Sequence, residues 1–318
     1  MTRGFTIGII LALSGKQEGN HMADRPTEAR HPHSAGLHSL PGPTALSHLL
    51  DAQLAALATV RPAIPMIDQA ATAAAESLRA GGKLAYAGAG SSGLMALADA
   101  LELAGTFGIP PDRTPVLFAG GTAALLHMTG GVEDDPALAE ADFHRAALSR
   151  GDTILCLSAS GSTPYTLVLA DLAQKNGLTV VGFANVPGSK LLEQSHISIL
   201  LDTGPEVVNG STRMGAATAQ KVALNMLSVR MGVLLGHVHD GYMVNVVADN
   251  AKLIDRAARI VAGLSARDIE TAKHALAQTG GAVKPAVLIA AGASPDRAGA
   301  LLKNSEGALG PALAALNA

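Results

Sequence analysis

Lys83-Leu-Ala-Tyr-Ala-Gly-Ala-Gly-Ser-Ser-Gly93 decides the fold: a short apolar run breaks into glycine and serine, and a helical stretch follows to about Gly105. The same pattern recurs at Thr153-Ile-Leu-Cys-Leu-Ser-Ala-Ser-Gly-Ser-Thr163, which leads into helical spacing up to about Asn176. Such runs are too short for helices, and their lack of alternation marks strands covered on both faces. Three further runs, Pro115–Phe118, Thr179–Phe183 and Ile197–Leu201, end at Gly120–Gly121, Pro187–Gly188 and Gly204–Gly210. Five buried strands alternating with helices predict an α/β fold, a doubly wound five-stranded parallel sheet flanked by helices. Right-handed crossovers then bring the loops that leave the strands to one edge.

Outside this block the pattern is helical. Ala45–Ala80 reads as two helices interrupted near Pro62 and Pro65, and Thr212–Leu235 as one long helix. Asp240–Ile260 resumes helical character, and the tail carries three helical stretches, Ala266–Thr279, Pro285–Ala291 and Asp296–Leu309. Ala23–Pro43, rich in His, Pro and Ser, reads as an extended arm. The expected organisation is an N-terminal extension and arm over residues 1–43, the sheet domain with flanking helices over 44–262, and a small C-terminal helical subdomain over 263–318. The apolar run Phe5–Leu13 after Arg3 is too short to span a bilayer. It reads as an upstream extension with the true start near Met22 rather than Met1, a weak signal peptide being the alternative.

Apolar residues make up 48% of the 318, charged residues 15% and aromatics 3%, and there is no Trp, so the core is built from Ala, Leu, Val and Ile. A net charge of −3 gives no basic field for nucleic acid or an anionic membrane, so an anionic ligand must be held by local donors. The single cysteine, Cys156, lies in an apolar run and has no intrachain partner, which fits a reducing, cytoplasmic setting and a buried thiol.

The two loops share one chemistry. Glycine lets the backbone turn tightly and approach a ligand. Hydroxyls of Ser91, Ser92, Ser158, Ser160, Ser162 and Thr163, with amides at the following helix N-termini and the turns at Gly90 and Gly161, suit phosphate oxygens. One such loop is equally an ordinary helix cap; two at strand ends of one sheet point to a phosphate site. Gly88-x-Gly90-x-x-Gly93 matches dinucleotide-binding spacing, yet Glu102 falls well short of where a ribose-binding acid belongs. No Gly-Lys-Ser/Thr follows either loop, which excludes a Walker A site.

These residues resemble the sugar isomerase (SIS) fold and, within it, the N-acetylmuramic acid 6-phosphate etherases and their relative, the glucokinase regulatory protein. The resemblance runs from about Gly82 to Leu253. It is carried by Gly88-Ala-Gly-Ser-Ser-Gly93, Gly131-Val-Glu-Asp134, Ser158-Ala-Ser-Gly-Ser-Thr-Pro-Tyr165, and Asn209-Gly-Ser-Thr-Arg-Met214 followed by Thr218-Ala-Gln-Lys221. The last segment is the most specific, since neither packing nor capping requires that string. The resemblance implies loss of the lactyl ether at C3 of a 6-phosphorylated amino sugar by elimination and hydration, a step in cell-wall sugar recycling that needs no cofactor. Such chemistry demands an ionised carboxylate to take the C2 proton and a neutral carboxyl to protonate the leaving oxygen. By resemblance Glu133 is the base and Glu102 the acid. On residues alone, Glu102 late in a helix is equally a solvated face residue, and Glu133-Asp134-Asp135 equally the acidic start of the next helix.

A helix begun at Ser92 carries Glu102 roughly 15 Å along its axis, further than a sugar phosphate spans from phosphorus to C3. Glu102 is therefore expected to serve the site of a partner chain in a homodimer. Glu206 is a candidate acceptor for sugar hydroxyls, or one half of a surface ion pair. Arg213 is a candidate clamp for the lactyl carboxylate, or a helix cap. Ser211 and Thr212 look equally like caps and ligand donors. His237-Val-His239-Asp240 has alternate spacing that suits a metal only on a strand, and it sits at an expected helix junction, so no metal is predicted.

Several positions depart from the family pattern. Ser162 stands for a common Arg, Gly215 for the Lys after Arg-Met, Val186 for Asn, Leu103-Ala-Gly105 for a Cys-Pro-Pro type sequence, and His38 for an Asp, while Thr27-Glu28 and Ser34 are kept. Losing two cations removes charge-assisted contacts to anions. Two other readings stay open. One is an aldose–ketose isomerase of phosphosugars, which needs a base at C2 but no acid at the C3 oxygen. The other is a non-catalytic phosphosugar-binding regulator, against which the two retained glutamates speak.

Overall fold

A computed structural model describes residues 26–318. The apolar run Phe5–Leu13 and Met22 lie outside the described residues. In chain order the elements are α1 (Gly42–Ala58), α2 (Val60–Arg79), β1 (Leu84–Gly88), α3 (Gly90–Phe107), β2 (Val116–Phe118), α4 (Gly121–Leu126), α5 (Pro136–Ala146), β3 (Thr153–Leu157), α6 (Pro164–Lys175), β4 (Thr179–Ala184), α7 (Lys190–Glu193), β5 (Ile197–Leu200) and α8 (Gly215–Leu234). A two-stranded hairpin, β6 (Val238–His239) and β7 (Tyr242–Met243), leads to α9 (Ala251–Ser265), α10 (Ile269–Gln278), α11 (Val283–Ala290), α12 (Pro295–Asn304) and α13 (Leu309–Asn317).

The five expected strands form one parallel sheet in the order β2-β1-β3-β4-β5. Side chains alternate between its faces as a pleat requires. Leu84, Tyr86, Leu155, Leu157, Val181 and Phe183 meet α2, α3 and α8 on one side. Ala85, Ala87, Ile154, Cys156 and Val180 meet α5 and α6 on the other. Both faces are covered, which is why the strands read as unbroken apolar runs. Burial pushes the Cys156 thiol up to about 12, so it is an inert core residue at neutral pH.

Where α3 crosses α8, one buried polar network interrupts the apolar packing. Asp99 accepts from the Tyr86 hydroxyl at 2.9 Å, from Asn225 Nδ2 at 2.9 Å and from the Ser228 hydroxyl at 3.0 Å. Burial raises the Asp99 pKa; the three hydrogen bonds and Lys221 oppose the shift without cancelling it. Asp99→Ala leaves the buried Tyr86 hydroxyl unpaired and takes an acceptor from Asn225 and Ser228, and is expected to lower unfolding free energy by about 2–4 kcal/mol in urea denaturation. The sign with pH follows from the raised value. The stability Asp99 contributes is fully present below the ordinary carboxylate range and is lost as pH rises through its folded-state pKa. The gap between native protein and variant therefore narrows from acid to neutral pH.

Three local expectations change. The helix break falls at Thr59, and both prolines lie inside α2, Pro62 in the first turn where amides have no helical partner and Pro65 further in. The segment after α8 is a hairpin rather than a helix, closed by Asp240 and Gly241 at φ 48° and 74°. The tail holds a fourth helix, α13. Val244 and Val246, with buried residues of α9 through α13, form a separate apolar cluster, so α9 packs with the tail helices. Among the described residues no helix is long and apolar enough to cross a membrane.

Residues 26–40 make three 3-10 turns tied to the chain's own body. The Ser34 hydroxyl donates to Val207 O at 2.7 Å, and Asn209 Nδ2 donates to Glu28 O at 3.2 Å. The His33 ring lies 4.2 Å from that of His48 on α1.

Candidate active site

The strand order reverses direction between β1 and β3: the chain runs outward to β2, then returns to the far side of β1. In doubly wound sheets ligands bind outside the carboxyl ends of the strands flanking such a point. Gly88 pairs with Leu157 at the ends of these two strands, so the loops Ala89–Ser92 and Ser158–Thr163 start side by side. They line one cleft of about 380 Å³ together with Thr27, Glu28, Met128, Glu133, Gly210 and Thr212.

The glycines of the first loop have packing reasons. A Cβ on Gly88 would lie 3.0 Å from Gly93 N, and one on Gly93 would lie 2.8 Å from Gly88 O and 2.7 Å from the Phe118 ring. Strand end and helix start are thus pressed together, which accounts for the glycine spacing without a dinucleotide. Gly90 stands at φ 52°, and a Cβ there would lie 2.7 Å from Glu133 Oε1. The Glu133 carboxylate therefore rests directly over the turn.

In the second loop the Ser158 hydroxyl lies 2.8 Å from that of Thr163 and 3.3 Å from that of Ser160, and it accepts from Gly161 N at 3.1 Å. Ser162 donates from its hydroxyl to Ser160 Oγ at 3.0 Å. These contacts fix the hydroxyls as a preformed group. Neither α3 nor α6 has a side-chain N-cap, so the positive ends of both helices face the cleft. Among the described residues lining the cleft there is no Lys or Arg. What the arrangement can hold is an oxyanion ligated by neutral hydroxyls and amides.

Glu133 arrives from the 3-10 turn Gly130–Asp134, whose Val132 packs against Gly120 and the sheet's outer core. Asp135 supplies the cap of α5, accepting from Ala137 N at 2.9 Å, which leaves Glu133 free to enter the cleft. Burial, and secondarily the Asp134 charge, raises the Glu133 pKa.

Of the residues expected from sequence, Gly90, Ser91, Ser92, Glu133, Ser158, Ser160 and Thr163 line this cleft, and Gly161 and Ser162 complete its second turn. Ser211 and Arg213 flank Thr212 at its edge, Arg213 exposed. Glu206 is buried, but both of its oxygens engage α8: they accept from Gly215 N at 2.9 Å and Ala216 N at 2.8 Å. A carboxylate is favourable there because the helix start is electropositive. A Cβ on Gly215 would meet Ala56 at 3.0 Å and Glu206 Oε2 at 3.2 Å, so a side chain at that departure from the family pattern would have to displace one of these neighbours slightly. Glu102 is exposed in the last third of an unbroken α3, outside the cleft. Thr27, Glu28 and Met128 were not placed in the site by sequence; Thr27-Glu28 in an aperiodic arm carried a resemblance but no local chemical signal.

Fold and cleft together define a doubly wound α/β protein with an oxyanion-suited cleft at its sheet's reversal point, and residues 52–185 match the SIS domain. A Deinococcus radiodurans protein named N-acetylmuramic acid 6-phosphate etherase is 43% identical over 83% of this chain and 87% of its own length. Proteins of the same name from Serratia proteamaculans (42% identity, 80% of this chain, 86% of theirs) and Yersinia pestis (38%, 90% and 98%) are similar along nearly the whole chain. This chain belongs to the N-acetylmuramic acid 6-phosphate etherase family.

Proposed function

We infer that the protein is a carbon–oxygen lyase that cleaves the D-lactyl ether of N-acetylmuramic acid 6-phosphate, giving N-acetylglucosamine 6-phosphate and lactate. The observation that carries this is the meeting of two hydroxyl-lined loops and the half-buried Glu133 in one cleft at the sheet's reversal point. The phosphate sits against Ser91, Ser92, Ser158, Ser160 and Thr163 and the starts of α3 and α6. The sugar opens to its C1 aldehyde, which acidifies the C2 proton. Glu133 takes that proton, the electron pair forms the C2–C3 double bond, and the ether oxygen leaves C3 with a proton from Glu102. Water then adds at C3, and a proton returns to C2.

Glu102 acts in a partner chain's site. It lies twelve positions beyond Gly90 on one continuous helix, about 18 Å of axial rise. Exposed apolar residues support pairing of two copies: Leu46, Leu50 and Leu54 form one stripe on α1, and Leu101 beside Glu102 is 69% exposed. Arg213 at the edge of the cleft offers a bidentate contact for the lactyl carboxylate. The single thiol, buried at Cys156, suits a cytoplasmic enzyme.

Incubation with N-acetylmuramic acid 6-phosphate in heavy-oxygen water tests the reaction. Lactate release with the label at C3 is the expected result; unlabelled C3 oxygen, or no lactate, refutes it. Gly90→Ala probes the cleft itself. A methyl at φ 52° costs about 1–2 kcal/mol of backbone strain and drives into Glu133 Oε1. Its kcat/KM for lactate release is expected to fall at least about tenfold, while the fold, read by circular dichroism, persists.

A further inference from the structure

We propose that the N-terminal arm supplies two positioning residues to the cleft, Thr27 and Glu28, which hold the sugar end of the ligand by hydrogen bonds to its hydroxyl and amide groups. The proposal rests on the phosphosugar reading above and deepens it. Both residues line the same cavity as the two serine loops. Thr27 is 1% exposed, and its Oγ1 is shielded from solvent with no hydrogen-bond partner among the described residues. A buried hydroxyl left unpaired is destabilising and rare, and at the wall of a ligand cavity it calls for a partner that the ligand brings.

The arm is held firmly enough to do this. Ser34 and Asn209 tie it to the segment 207–209, which runs directly into Gly210 and Thr212 of the same cleft. The Glu28 carboxylate approaches Gly210, where a Cβ would lie 3.3 Å from its Oε2. Position then assigns the ends of the ligand. With no Lys or Arg among the described residues lining the cleft, a phosphate dianion is held by the hydroxyls, amides and helix ends of the two serine loops alone. Glu28 stands beside Gly210 rather than over either of those loops, so it meets the sugar end of the ligand, where neutral O–H and N–H donors are available for a charge-assisted bond. Thr27, with one donor and two acceptor sites, serves the sugar oxygens next to it.

The test reads binding rather than turnover. Native protein, Thr27→Val, Thr27→Ser and Glu28→Ala are titrated calorimetrically with N-acetylglucosamine 6-phosphate and, separately, with inorganic phosphate. Thr27→Val and Glu28→Ala are each expected to weaken phosphosugar binding about tenfold. Thr27→Ser, which keeps the hydroxyl, should stay within about twofold of native, and inorganic phosphate should bind all four alike to about the same tolerance. Unchanged phosphosugar affinity in Thr27→Val and Glu28→Ala overturns the proposal. Equal losses for phosphosugar and inorganic phosphate also overturn it, since they make the arm a structural brace. A native protein that binds the phosphosugar yet releases no lactate refutes the etherase reading alone, because the arm's role is decided by the titrations.

Discussion

Glu133→Gln is expected to lower kcat for lactate release by about three orders of magnitude, within the range for losing a positioned proton acceptor. It should leave N-acetylglucosamine 6-phosphate binding within a few-fold of native. Glutamine keeps the shape that rests over Gly90 but cannot take a proton from carbon. The pH profile gives the sign independently. A base works only when ionised, and burial, helped by the Asp134 charge, raises the Glu133 pKa. The acid limb of kcat/KM is therefore expected above the range of a free glutamate, with activity falling as pH drops through it, and that limb should vanish from any residual activity of the variant. Solvent deuterium separates the two carboxyls. Exchange at C2 requires the base and not the acid, so it should be lost in Glu133→Gln and retained in Glu102→Gln. Retention in Glu133→Gln would remove that residue from the role.

The sheet was legible because strands covered on both faces must be apolar throughout, and the expected β3, Thr153–Leu157, coincides with the observed strand. The hairpin was misread for want of length: β6 and β7 hold two residues each, too few to show a period, although Asp240-Gly241 is a turn signal in its own right. α13 was missed because Gly310-Pro311 resembles a helix stop, whereas both fall in its first turn, where a missing amide costs little. The serine loops were readable as turns at strand ends, since a run of Gly and Ser after an apolar stretch announces itself by composition. The fate of Glu206 was not: whether a carboxylate meets a sugar or the start of α8 depends on packing between segments 206 and 215–216, which no local pattern encodes. Thr27 failed for a related reason. The arm that carries it is tied to a loop far along the chain, as the 181-residue separation of the Asn209–Glu28 bond shows, and no local pattern marks that contact.

Mixing two dead chains should restore activity. Glu102→Gln alone lacks the acid, and Ser160→Ala alone weakens the phosphate loop, so each is expected to lose most lactate release. If Glu102 serves the partner's cleft, a dimer of one Glu102→Gln chain and one Ser160→Ala chain contains one site with both groups intact and one with neither. Random pairing makes half of the dimers mixed, with one working site in two, so co-refolded protein should regain about a quarter of native activity. Sites confined to single chains predict no recovery, because each chain would still lack one of its own groups. The geometry favours recovery for a specific reason. On the proposed reading the acid must reach the C3 oxygen of a sugar whose phosphate is held at the start of α3, yet Glu102 rides the far end of that helix, on an exposed face beside Leu101. On that reading a proton donor so far from its own cleft does its chemistry in another, and recovery in the mixed dimers is what that requires.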